Sequence, residues 1–170
     1  MYKAFPLYEG DEPYLYISYD PKDQETVSVL IDDLDMRGYR IWYDDGRHDG
    51  PEYISVLTEK ISNCSFFICF LSANYDHSEF CMRELHYAFN HRKPIIPICP
   101  KGTVLEPETA FRLSAAPRFR LTESGMDEDF LQRFSSHTEE FFAPCLHTRG
   151  FPDTEPEKKK SFLDLFRRKR

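Results

Sequence analysis

The sequence is poor in features that would place it in a membrane, in a disulfide scaffold or on nucleic acid. No apolar run approaches the ~20 residues needed to span a bilayer. Met1 to Glu12 lacks the basic-then-apolar order of a signal peptide, so a cytoplasmic protein is expected. There are five cysteines, an odd number, and none forms a CxxC pair. Three of them stand inside apolar stretches, where a thiol behaves as a small hydrophobe; reduced core cysteines are expected. The six histidines lack metal-ligand spacing, and His86 and His91, five apart, fall on different faces of a helix. No metal site and no internal repeat is expected.

Cationic charge is scarce except at one end. The net charge is −7. Lys158, Lys159, Lys160, Arg167, Arg168, Lys169 and Arg170 crowd the last thirteen residues against one anion, Asp164, so the rest of the chain is strongly acidic. Phosphate binding needs a cationic face, which argues against nucleic acid as a partner.

What is present is an alternation of strand and helix signals over a length that suits one hydrophobic core. Tyr14 to Ser18 is aromatic and branched, a strand pattern. Asp20-Pro21 marks a helix start, and Val27, Leu30, Ile31 and Leu34 give a helical stripe over residues 22–37, ended by Gly38. Tyr39 to Tyr43 reads as a second strand, followed by a polar loop at 44–50. Pro51 opens a second helix with Ile54, Leu57 and Ile61 on one face. The continuous apolar run Phe66 to Leu71 fits a central strand buried on both faces. A polar loop, Ser72 to His77, precedes a third helix capped by Ser78, with Cys81, Leu85, Ala88 and Phe89 as its stripe. Pro94 to Ile98 is a short fourth strand with limited ladder bonding. A short irregular helix at 104–114, an edge strand at 118–121 and a last helix from Asp127 to Phe142 follow, the last anchored by Phe130, Phe134 and Phe141. Such alternation implies a mainly parallel sheet with helices on both faces.

Five segments, in order, resemble those of bacterial-type TIR domains: Tyr14-Leu15-Tyr16-Ile17-Ser18-Tyr19-Asp20, Gly38-Tyr39-Arg40-Ile41-Trp42-Tyr43-Asp44, Leu71-Ser72-Ala73-Asn74-Tyr75, Ser78-Glu79-Phe80-Cys81-Met82-Arg83-Glu84-Leu85 and Lys93-Pro94-Ile95-Ile96-Pro97-Ile98. The resemblance covers residues 13–143. It implies a flavodoxin-like α/β fold with a five-stranded parallel sheet of order 2-1-3-4-5. It divides the chain into a lead-in (1–12), the domain (13–143), a proline-containing linker (144–157) and a basic amphipathic tail (158–170). In such sheets ligands bind beyond the carboxyl ends of the strands, where the strand order reverses. Ser18, Tyr19 and Asp20 on one side, and Ser72 to His77 on the other, are expected to line that crevice.

The resemblance also implies an activity, cleavage of the nicotinamide–ribose bond of NAD. The family motif, an aromatic residue four positions before a glutamate, is matched by Phe80 and Glu84; the usual aromatic is tryptophan, and phenylalanine keeps the ring but loses the indole donor. Glu84 is thus the expected catalytic residue, with Ser18, Tyr19, Asp44, Ser72 and Phe80 as expected substrate contacts. NAD is the substrate and no cofactor is implied. The leaving group is already a pyridinium and departs neutral, so one carboxylate suffices where ordinary glycoside hydrolysis usually needs two. The product is ADP-ribose or a cyclic ADP-ribose-type signal, and the resemblance implies a setting in antiphage defence. Periodicity alone reads Glu84 as a solvated helix carboxylate, and Phe80 and Tyr87 equally well as packing residues. Ser72 equally reads as a loop stabiliser, and Asp44 and Asp45 as turn residues.

The family also contains non-enzymatic signalling modules, which associate through TIR–TIR contacts that include the loop at 44–50; a downstream effector protein is a further implied partner. A phospho-receiver would need an aspartate at the end of the third strand, where this chain has Leu71-Ser72. The tail, with Phe162, Leu165 and Phe166 on one helical face, reads as a weak contact for an anionic membrane surface, a lead into a further domain, or a frayed terminus.

Overall fold

The computed structural model describes residues 7–44 and 50–147. Loop residues 45–49, most of the expected linker and the whole expected tail lie outside the described residues.

Five strands form one parallel sheet: β1 (Leu15–Ser18), β2 (Ile41–Tyr43), β3 (Phe66–Phe70), β4 (Ile95–Cys99) and β5 (Phe119–Arg120), in the order β2-β1-β3-β4-β5. Among the described residues six α-helices connect and cover them: α1 (Gln24–Met36), α2 (Pro51–Asn63), α3 (Ala73–Asp76), α4 (Glu79–Asn90), α5 (Pro107–Arg112) and α6 (Glu128–Phe142). The fold class and strand order are those expected.

Strand alternation sorts the core into two layers. Leu15 and Ile17 of β1 pack with Val27, Leu30, Leu34, Phe130 and Phe134 under α1 and α6. Tyr14 and Tyr16 point the other way, against Trp42, Leu57, Ile61, Phe67 and Leu85 under α2 and α4. Ser18, two residues beyond Tyr16, shares its face. The first strand therefore sends one hydroxyl after another toward α4.

Several elements end as their residues require. Gly38, at φ 86°, closes α1: its N–H reaches the Asp35 carbonyl and the Tyr39 N–H reaches that of Leu34. Pro97 sits mid-strand without breaking the sheet. The Pro94 and Ile98 carbonyls accept from Phe67 and Leu71, so even-numbered positions of β4 face β3 and Pro97 faces the β5 side. There β5 pairs only with Ile98 and Cys99, so no partner waits for the missing N–H.

Four details differ from the sequence reading. The segment after β3 is not an open loop: Ser72 caps the one-turn helix α3 through the Tyr75 N–H at 3.1 Å. The helical stripe begins with a 3-10 turn, Pro21–Asp23, before α1. Phe142, fully buried, joins Phe130 and Phe134 as an anchor of α6, because Phe130, Phe134, Thr138 and Phe142 follow one another at four-residue steps, while Phe141 is half-buried against the same core. And the packed body continues past 143.

That last difference rests on Arg40. Its side chain is 2% exposed, and Nη1 donates to the Pro13 carbonyl at 2.9 Å and to the Pro144 carbonyl at 3.0 Å, while Nη2 meets Glu12 at 3.1 Å. The Arg40 N–H bonds the Cys145 carbonyl, the Tyr8 N–H bonds Ile41, and the His147 N–H bonds Gly38. Both flanks of the domain thus lie along the open edge of β2 and cover its backbone groups. The start of the expected linker is part of the body, since Cys145 is fully buried. All five cysteines are buried and unpaired.

Candidate active site

The chemistry-bearing side chains gather beyond the carboxyl ends of β1 and β2. A cleft of about 570 Å³, counting the space open at its mouth, is bounded by Ile17, Ser18 and Tyr19 of β1 and its exit, Pro21 and Gln24 at the start of α1, Asp44 after β2, and Phe80 and Glu84 of α4. A second hollow lies at the opposite end of the sheet, near Phe89, Lys93 and Pro117; its lining holds no carboxylate or hydroxyl side chain.

Glu84 forms the floor of the first cleft. Ser78 caps α4 through the Cys81 N–H, and the helix turns Cys81, Glu84, Leu85 and Ala88 toward the sheet. Glu84 is therefore only 4% exposed, deeper than a rim position. Both of its oxygens are engaged. Tyr16 donates to Oε1 and Ser18 to Oε2, each at 2.5 Å. Tyr75 of α3 meets the Ser18 hydroxyl at 2.9 Å. Burial pushes the Glu84 carboxyl up to about 7, the Ser18 and Tyr16 hydrogen bonds pull it back, and the nearby Asp44 charge adds to the rise. Burial also drives the Tyr16 and Tyr75 phenols well above their usual range, so both remain protonated donors.

Tyr16 is held between rings. Trp42 stacks on one side at 5.1 Å and Phe67 on the other at 5.2 Å, inclined by 26° and 10°. Phe80 stands one turn before Glu84 and runs parallel to Tyr53 of α2.

Of the residues expected from sequence, Glu84, Phe80, Ser18, Tyr19 and Asp44 come together around this cleft. Ser72 does not. Its hydroxyl donates to Asp23, which also accepts from Asn74 at 2.9 Å. The expected wall from Ser72 to His77 is thereby corrected: this segment is folded into α3 and tied to the turn before α1, and the opening lies on the β2 side instead. Asp20 caps that turn through the Lys22 N–H at 3.0 Å. Tyr16 was not among the expected site residues, and Tyr75 was expected only as part of the 72–77 lining. The available signal for Tyr16 was strand alternation, which puts it on the face of Ser18. Among the described residues no group of three His, Cys, Asp or Glu side chains is placed to hold a metal ion, and no helix is long and apolar enough to cross a membrane.

Residues 15–135 match the family described as TIR domain. The chain belongs to the TIR domain family. Its fold agrees with solved structures of low sequence identity. The TIR domain of the Toll-related receptor TRR-2 from Hydra magnipapillata superposes with a TM-score of 0.58 at 20% identity, covering 76% of this chain and 97% of that one. The Clostridium botulinum CMP N-glycosidase BcmB gives 0.57 at 17% identity, over 73% of this chain and 98% of that one. The TIR domains of the activated Roq1 resistosome, which recognises the pathogen effector XopQ, give 0.58 at 17%, over 73% and 98%. At these identities the likeness is one of fold. No curated protein is significantly similar to this TIR domain in sequence.

Proposed function

We propose that this TIR domain is an NAD nucleosidase with Glu84 as its catalytic carboxylate. The observation that carries the reading is a buried carboxylate, fixed at both oxygens, on the floor of an open cleft beyond the carboxyl ends of β1 and β2, with an aromatic ring one helical turn before it. An N-glycosidase among the structures of the same fold is in keeping with it.

Each Glu84 oxygen spends one lone pair on a protein hydroxyl and keeps one for the cleft. Those remaining lone pairs suit the ribose hydroxyls and the positive charge that builds at C1′ as the bond to the pyridinium nitrogen stretches. The electron pair of that bond leaves with nicotinamide, which becomes neutral and needs no acid. Water then adds at C1′ and loses its proton to give ADP-ribose; if an adenine nitrogen adds instead, the product is cyclic. Phe80 offers a flat face beside the reacting centre, and Tyr19 and Asp44 bound the mouth. NAD is the substrate, and no further cofactor enters the reaction. The same domain associates with its own copies in a signalling role, as the resistosome TIR domains are found in an assembly.

The test is incubation of NAD with concentrated protein, read by NMR or HPLC, beside Glu84→Ala. Nicotinamide release that disappears in a folded Glu84→Ala variant supports the enzyme, and the co-product names the reaction. Release that survives the substitution sinks the mechanism. No release at concentrations that drive association favours a non-enzymatic TIR–TIR module.

A further inference from the structure

The carboxylate of Glu84 is the centre of a chain of four buried side chains from three elements. Its polarity is forced. An ionised carboxylate only accepts, so Ser18 spends its single hydrogen on Oε2 and must receive from Tyr75. Tyr16 spends its hydrogen on Oε1. The order is Tyr75 to Ser18 to Glu84, and Tyr16 to Glu84 from the other side. Protonating Glu84 at Oε2 would turn the Ser18 link round, with Ser18 accepting from the carboxyl; protonating it at Oε1 would do the same to Tyr16. Either event leaves a buried hydroxyl hydrogen without the acceptor it had.

The two phenols have little freedom to adapt. Tyr16 and Tyr75 are fully buried. The Tyr16 ring is pinned between Trp42 and Phe67, on neighbouring strands of β1. Tyr75 sits in α3, whose start is tied to Asp23 through Ser72 and Asn74. The titratable groups facing Glu84 are Tyr16 from β1, Tyr75 from α3, Cys69 from β3, Cys81 from its own helix and Asp44 after β2. Among the described residues none of these is a cation, and the hydroxyl donors of Ser18 and Tyr16 oppose the burial of the charge.

We infer that Tyr16 and Tyr75 are positioning residues, which hold the Glu84 carboxylate in one orientation at the floor of the cleft without touching substrate. Tyr16 acts directly on Oε1, and Tyr75 acts through Ser18 on Oε2. The inference rests on the reading of Glu84 as the catalytic carboxylate, yet it has a readout of its own.

Tyr16→Phe and Tyr75→Phe each remove one hydroxyl and keep the ring. Carbon-13 NMR of the Glu84 side-chain carboxyl, without substrate, reads its titration in the wild type and in both variants. Both variants are expected to titrate at higher pH, Tyr16→Phe by about one unit and Tyr75→Phe by less, because an ionised acceptor loses a charge-assisted bond directly in one and indirectly in the other. In the NAD assay, kcat falls about tenfold or more in Tyr16→Phe with KM little changed, and the acid limb of the pH profile moves up with the NMR titration. Unmoved titrations in both variants, whatever their melting temperatures, overturn the inference. If the titrations move but no NAD is cleaved by the wild type, the positioning network stands and the enzymatic reading fails. If Glu84→Ala abolishes cleavage while the titrations stay fixed, the enzyme stands and the network is only packing. Should Tyr16→Phe not fold, Tyr75→Phe alone decides, because its hydroxyl lies one link further from the carboxylate.

Discussion

The ring of Phe80 lies parallel to that of Tyr53, with centroids 6.3 Å apart and an inclination of 5°. The pair joins α2 to α4 beside the cleft, so Phe80 is at once a packing residue and a wall. The two roles separate by substitution. Phe80→Leu retains apolar volume and loses the flat π face. Aromatic stacking on a base is worth ~1–3 kcal/mol, so kcat/KM for NAD is expected to fall about tenfold in Phe80→Leu, with a melting temperature close to that of the wild type. Phe80→Trp keeps a ring and is expected to retain turnover. Equal activity in Phe80→Leu and wild type would remove Phe80 from the substrate site.

The pH dependence follows from Glu84. In the proposed reaction the active form is the carboxylate, and burial raises Glu84 in the free site to about 7. Below that, kcat/KM is expected to fall tenfold per pH unit; above it, to level off. A bound pyridinium favours the ionised form, so the acid limb of kcat lies at lower pH than that of kcat/KM. Asp44→Asn removes one charge that raises Glu84 and shifts the kcat/KM limb downward. Initial rates of nicotinamide release from pH 5 to 9 test all three expectations. A flat profile across pH 7 contradicts them.

The same carboxylate opposes folding at neutral pH. In the unfolded chain a glutamate titrates near 4.3, and in the fold Glu84 titrates near 7. Between these values the folded state holds the extra proton, so the Glu84 contribution to stability declines as pH rises through this window and the penalty is complete above 7. At ~1.36 kcal/mol per unit it is on the order of 2–4 kcal/mol. Glu84→Gln, which still pairs with Tyr16 and Ser18, is expected to melt higher than wild type at pH 8, with the gap closing toward pH 5. Thermal denaturation at the two pH values measures this. A variant less stable than wild type at pH 8 would show that the hydrogen bonds outweigh the burial.

Asp23 fastens the turn before α1 to the start of α3. Asp23→Ala leaves Ser72 and Asn74 without their acceptor, a loss of about 1–3 kcal/mol. For a domain of this size each kcal/mol lowers the melting temperature by roughly 2–4 °C. Because Tyr75 is carried by α3, the variant is also expected to lose activity beyond its loss of stability. Ser72→Ala removes one of the two donors and the cap of α3, and should show a fall of similar kind; a Ser72→Ala enzyme with raised KM and unchanged melting would restore Ser72 to the substrate site.

The layered fold was legible because the first strand signal is aromatic and branched and the third wholly apolar, because strand and helix signals alternate along the chain, and because Gly38, Ser78 and Asp127 mark helix ends by backbone chemistry that needs no tertiary context. Glu84 and Phe80 were legible only through the motif, since helical spacing alone reads a glutamate as solvated. Ser72 was misplaced because a serine after a strand serves equally as ligand contact or as cap, and the choice depended on Asp23, forty-nine residues away. Tyr16 escaped because a tyrosine in a strand pattern reads as packing, and only the position of α4 reveals that its hydroxyl ends on a carboxylate. The residues just past 143 show the same effect: Pro144 reads as linker by composition, and its carbonyl becomes structure only where Arg40 reaches it.

Arg40 has a wider consequence. Tyr8 and His147 are brought within 6.2 Å, ring to ring, at the amino end of the sheet, while the cleft opens at the carboxyl end. The described body therefore begins and ends at one corner, at the end of the sheet away from Glu84. A short linker from His147 back to Leu7 would close the chain at that corner, and a circular permutant opened elsewhere is expected to keep the cleft intact.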